Sequence, residues 1–130
     1  MVRLATPFIR GIARGISPFL RRVQVEGFSM APTYMPGEYL WAIRRFLIPR
    51  RLRVGDVVFC PDPDNPRREL LKRVGEFRWT ILNYDVVLLG DNHEASRDSR
   101  EFGPISCRRI KWVALPNRRP FTIHQTPPTL

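Results

Sequence analysis

Ser29 stands between Gly27-Phe28 and Met30-Ala31-Pro32-Thr33. A hydroxyl in a Pro-bounded turn, after a strand that ends in Gly, is placed where rigid scaffolds present nucleophiles. Lys72 lies in the run Glu69-Leu70-Leu71-Lys72-Arg73-Val74. Read as a strand, the run puts Leu70, Lys72 and Val74 on one face and Leu71 and Arg73 on the other. An amine turned among aliphatic side chains is poorly hydrated, so its pKa falls. Once neutral, it can take the proton of a serine hydroxyl, the chemistry of a Ser-Lys dyad. A third segment runs from Gly90-Asp91-Asn92 through His93, Glu94, Ala95 and Ser96 to Asp98-Ser99-Arg100 and Phe102-Gly103-Pro104. Asx and Ser side chains bond to nearby backbone and stiffen such a loop. Ser96 can hydrogen-bond a buried amine, and Asp98 with Arg100 can form an ion pair that holds the loop. Taken singly, the three segments also fit an ordinary turn serine, a lysine that snorkels to water from an edge strand, and a solvated charged loop.

These residues need a frame, and the rest of the sequence suggests one. The chain has 130 residues, room for one domain with a short arm. Hydrophobic residues make up 43%, enough for a core, and 13 prolines with 8 glycines argue against a helical bundle. From residue 23 the apolar pattern is short and alternating, as in strands. Strands are expected at Val23–Phe28, Glu38–Arg44, Asp56–Cys60, Glu69–Val74, Phe77–Leu82, Val86–Leu89 and Arg109–Leu115. Pro36-Gly37, Gly55-Asp56, the stretch 61–66 and Gly90-Asp91-Asn92 punctuate them. The expected class is mainly β, a small antiparallel barrel or sandwich spanning residues 23–115.

Residues 1–22 form a different segment. On a helical wheel Leu4, Phe8, Ile9, Ile12, Ile16 and Phe19 fall on one side, and Arg3, Arg10, Arg14 and Arg21 on the other. No acidic residue occurs before Glu26. This is the composition of a basic amphipathic helix for an anionic membrane surface, or of an arm packed on its own domain. Its arginines interrupt every apolar run, so no spanning helix is expected. Residues 116–130 read as a Pro/Arg-rich tail. The formal charge of +10 comes from twenty Arg and two Lys, Lys72 and Lys111, so lysine chemistry has two candidates. Such a charge also suits nucleic acid, yet no nucleic-acid fold signature is visible and none is expected as partner. Cys60, Cys107, His93 and His124 have no metal-ligand spacing, so neither a metal nor another cofactor is expected, and the cysteines read as free buried thiols.

Together and in this order, the three segments resemble the signal peptidase I (leader peptidase) family of membrane-associated serine proteases. Ser29-Met30-Ala31-Pro32-Thr33 resembles the family's nucleophile box. Leu71-Lys72-Arg73-Val74, preceded by Val54-Gly55-Asp56-Val57-Val58, resembles its general-base box, and residues 90–104 its third signature. The resemblance implies that Ser29 attacks the scissile carbonyl and Lys72 takes its proton and returns it to the leaving amine. It implies that the Ser29 N–H donates to the oxyanion, Ser96 orients Lys72, and Asp98 and Arg100 support the loop. Met30 and Pro32 would line the substrate groove. The partner implied is a precursor protein bearing an N-terminal leader, bound as an extended strand.

The chain departs from the family pattern in places. Gly27 stands where many members carry a Ser that also serves the oxyanion, and His93 and Ala95 replace a more usual Arg and Asn. Only 18 residues separate Lys72 from Asp91, so the large extra β domain of some members is absent. The compact core resembles best the nickel-type superoxide dismutase maturation proteases, which trim a leader from their substrate. The mitochondrial inner membrane protease subunits are similarly compact and share the Phe-Gly-Pro ending. The localisation implied is peripheral to a membrane, or cytoplasmic.

Overall fold

The computed structural model describes residues 2–4 and 18–116. Eight strands form one antiparallel sheet: β1 Val2–Leu4, β2 Leu20–Val25, β3 Tyr39–Arg44, β4 Val57–Pro61, β5 Glu69–Trp79, β6 Tyr84–Leu89, β7 Ile105–Ser106 and β8 Trp112–Ala114. Their spatial order is β1-β2-β3-β8-β4-β5-β6-β7, so the sheet is open, with β1 and β7 at its edges. The mainly β antiparallel architecture matches the expectation from the sequence. A single turn of helix, α1 Ser99–Phe102, lies between β6 and β7.

The strands alternate as their sequences do. In β4, Val57 and Phe59 join a core with Val23, Met30, Leu71 and Trp112. Val58 and Cys60 point the other way, into a second core with Leu70, Val74, Leu88 and Ile110. β4 is therefore buried on both faces, which is why Val57-Val58-Phe59-Cys60 is a continuous apolar run. β8 does the same with Trp112 and Val113 and fits between β3 and β4. The sheet places β5 between β4 and β6, so Lys72 sits in a central strand opposite Val58 rather than at an edge.

Several boundaries differ from the sequence reading. Expected strands Glu69–Val74 and Phe77–Leu82 are one strand, β5, whose register slips between Val74 and Glu76. Gly75 marks that bulge, and a glycine there reads in sequence as a turn. β2 ends at Val25 rather than Phe28, because Gly27 takes φ +77° and turns the chain. β1 and β7 are too short to show alternation. Of the expected amphipathic helix, residues 5–17 lie outside the described residues. Its two ends are strand, Val2–Leu4 pairing with Val23–Val25 and Leu20–Arg22 pairing with Trp41–Ile43. The tail beyond Pro116 also lies outside the described residues.

Candidate active site

Ser29 leaves the sheet in the turn after β2. Ala31 N–H donates to Phe28 O at 3.1 Å and Tyr34 N–H to Met30 O at 2.9 Å, closing the turn around it. Met30 anchors the turn from below, 1% exposed in the core. That placement differs from the expected one: Met30 packs against Val23, Val25 and Tyr34 rather than lining a groove. Pro32 is exposed and outside the cleft that Ser29 borders. The Ser29 carbonyl accepts from Asn92 N–H at 2.9 Å, which fastens the turn to the third segment.

A cleft of about 190 Å³ opens beside Ser29, bordered also by Gly27, Phe28, Leu70, Lys72 and Arg97. Ser29 and Lys72 thus share one cleft, although they come from different strands. Lys72 is 1% exposed, the only fully enclosed cation among the described residues. Burial pushes its pKa below the ordinary lysine value, against the opposing pull of Asp98. The amine is therefore easier to neutralise than a surface lysine.

The third segment governs where that amine points. Lys72 Nζ lies 3.1 Å from Ser96 Oγ, and Ser96 Oγ donates to Asp98 Oδ2 at 3.0 Å. Asp98 is fully buried. Burial alone would raise its pKa, but donation from Arg100, Gly90 N–H, Arg100 N–H and Ser96 holds it down to about 2. Asp98 is thus an acceptor only. The single hydroxyl proton of Ser96 is committed to it, so Ser96 must accept from Lys72. The lone pair of a neutral Lys72 is then left free to receive a proton from elsewhere in the cleft.

Arg100 grips Asp98 with two side-chain bonds of 3.0 Å and also donates to His93 O at 3.1 Å. Ser99 Oγ accepts from Leu88 N–H at 2.8 Å, which ties the loop to β6. Gly90 is the close approach that makes this possible. A Cβ at Gly90 would lie 1.9 Å from Ser96 Oγ and 2.7 Å from Ser29 O.

Three groups were missed by the sequence reading. Arg73, on the opposite face of β5 from Lys72, forms two 2.7 Å bonds to Asp91 and donates to Gly55 O at 2.8 Å. Thr33 Oγ1 donates to the same Asp91. This network links all three segments, and the signal was present: each partner lies inside one of them. Asp62 is the second, 2% exposed on the cleft wall. Its carboxyl is held low, because donation from Asp64 N–H and the charges of Arg97 and Arg68 outweigh burial. Nothing in the stretch 61–66 distinguishes it from a turn aspartate. The third is Gly90 itself, which reads as turn punctuation.

Cys60 neighbours Lys72, and burial pushes its thiol up to about 12, so it stays a neutral packing group. No group of residues able to hold a metal ion occurs among the described residues. No helix among them is long and apolar enough to cross a membrane.

Comparison with known proteins bears on the same segments. The sequence model of the family described as Signal peptidase, peptidase S26, matches residues 4–77, which include Ser29 and Lys72. Mitochondrial inner membrane protease subunit 2 of Mus musculus is 33% identical over 114 residues, covering 68% of this chain and 63% of the relative. The subunit 2 of Danio rerio is 34% identical over 105 residues, covering 64% of this chain and 55% of the relative. The Homo sapiens protein of that name is 33% identical over 114 residues, with coverage of 68% and 63%. The chain spans less than two thirds of the length of these curated relatives.

Proposed function

The chain belongs to the signal peptidase family, peptidase S26, and from that premise we propose that it is a Ser-Lys endopeptidase that removes an N-terminal leader from a precursor protein. The observation that carries the reading is the enclosed Lys72, oriented by Ser96 and bordering the same cleft as Ser29. Neutral Lys72 takes the proton of Ser29 Oγ as that oxygen bonds to the scissile carbonyl carbon. The Ser29 N–H, which makes no backbone hydrogen bond among the described residues, donates to the oxyanion. Gly27, which also borders the cleft, brings no side chain there. The protonated Lys72 then gives its proton to the leaving amine, the C–N bond breaks, and an ester to Ser29 remains. Water, deprotonated by Lys72, bonds to the ester carbon, the bond from that carbon to Ser29 Oγ breaks, Lys72 returns the proton to Ser29 Oγ, and the new carboxyl end leaves. Asp98 and Arg100 act through Ser96 and are positioning residues.

The substrate reading follows the resemblance of the compact core: the precursor of a nickel superoxide dismutase, met at an anionic membrane surface. The relatives favour a second reading, a precursor handled at a mitochondrial inner membrane, since proteases of that location share the sequence. Incubating the full chain with a nickel superoxide dismutase precursor and with an inner-membrane precursor, read by mass spectrometry, separates the two. Wild type is expected to cut one precursor at a single bond, and Ser29→Ala neither. Equal cutting by Ser29→Ala would remove Ser29 from the mechanism.

A further inference from the structure

The hairpin joining β5 to β6 ends in the most exposed large apolar side chains of the described residues. Trp79 is 72% exposed, Ile81 102% and Leu82 89%. The tip is a built turn. Thr80 N–H donates to Asn83 O at 2.8 Å, Thr80 Oγ1 to the same oxygen at 2.9 Å, and Asn83 N–H to Thr80 Oγ1 at 3.1 Å. These bonds tie Thr80 to Asn83 across the turn, while Ile81 and Leu82 are left uncovered among the described residues. Behind the tip, Tyr84 stacks against Trp79 at 5.2 Å and Phe77 at 5.5 Å. Its hydroxyl accepts from Arg45 at 3.0 Å.

A basic collar surrounds this point. Cys107 Sγ donates to Asn83 Oδ1 at 2.8 Å, which seats the 3-10 turn Cys107–Arg109 against the base of the tip. That turn carries exposed Arg108 and Arg109. Arg45 reaches Cys107 O, and its own N–H donates to Lys111 O at 2.9 Å. Arg78, Arg108, Arg109 and Lys111 are exposed on these segments, against Glu76, which pairs with Arg78 at 3.5 Å, and Asp85, so the local balance is positive.

We propose that this hairpin tip is a lipid-docking wedge: Ile81 and Leu82 enter the apolar region of an anionic bilayer, Trp79 and Tyr84 lie at its interface, and the arginine collar meets the headgroups. Trp and Tyr are the side chains favoured at that depth, and basic residues are drawn to an anionic leaflet. The shape selects lipid over protein. A tip of three apolar side chains, Trp79, Ile81 and Leu82, is small beside the roughly 800 Å² per partner that a stable protein interface buries. The proposal concerns a surface far along β5 from Lys72 and does not rest on the proteolytic reading.

The full chain is mixed with vesicles of phosphatidylcholine alone, or with three parts in ten phosphatidylglycerol, and the bound fraction is measured by sedimentation. Wild type is expected to bind the anionic vesicles. Ile81→Asp/Leu82→Asp should lower the partition coefficient at least tenfold, and Arg108→Glu/Arg109→Glu should flatten its salt dependence. Brominated lipid should quench tryptophan fluorescence in wild type and much less in Trp79→Phe. Near-UV circular dichroism checks that each variant stays folded. The proposal is overturned if wild type does not bind, or if the tip variants bind as wild type does, which would leave residues 1–22 as the anchor. It is equally overturned if Ile81→Asp/Leu82→Asp abolishes a lipid-free dimer seen by ultracentrifugation, which would make a second copy the occupant.

Discussion

Lys72 and Asp98 stand on either side of the Ser96 hydroxyl, and pH acts on them in opposite senses. The folded pKa of Lys72 is depressed, so between that value and about 10.4 the unfolded chain binds the extra proton. Stability should therefore rise with pH through that window, and the cleavage rate should rise along a limb below the ordinary lysine value. Lys72→Met should remove that limb and cut kcat by about 10²–10⁴, while the melting temperature holds or rises, because no amine need then be desolvated. Asp98 runs the other way. Its stabilisation is present above about 3.9 and lost as pH falls towards 2, a contribution of about 2 kcal/mol. Asp98→Asn should lose about that much in urea denaturation and slow cleavage without raising KM, since it acts through Ser96. If KM rises and kcat holds, the positioning role fails. The faces of Leu70, Lys72 and Val74 were legible in sequence because strands alternate. That Arg73 would grip Asp91 in particular was not, although both lie inside the segments singled out, because a charge carries no mark of its partner.

At the scale of elements, the site depends on how closely the third segment approaches the turn that bears Ser29. Gly90 lies between them, and Gly90→Ala is expected to displace Ser96 and Ser29 together. Cleavage should fall at least tenfold, whereas Gly55→Ala, with open space at its Cβ but φ +97°, should cost only stability. Kinetics and melting curves on the two variants test that split. The strands of this frame could be read from sequence wherever they were long and alternating, as in β3 and β4. β5 was divided because a bulge at Gly75 breaks the period without ending the strand. β1 and β7, of three and two residues, owe their form to neighbours that sequence does not display.

Across the whole molecule, one short strand joins the two halves of the sheet. β8 bonds to β3 on one side and β4 on the other, and Arg21 and Arg44 both stack on its Trp112, at 4.3 and 4.5 Å from the ring centroid. Trp112→Ala should cost about 3–5 kcal/mol, measurable by urea denaturation. The sequence showed that a strand lay there, but not that it would enter the middle of the sheet.

This order of strands has a consequence for synthesis. A chain leaves the ribosome from its amino end, so Ser29 and Lys72 both emerge well before Trp112–Ala114. Until that last strand arrives, β3 and β4 have no common neighbour, and the half bearing Ser29 is not joined through the sheet to the half bearing Lys72. A nascent chain thus carries both groups but not the frame that aligns them. On the proposed mechanism, Ser29 and Lys72 are aligned only once Trp112–Ala114 has entered the sheet.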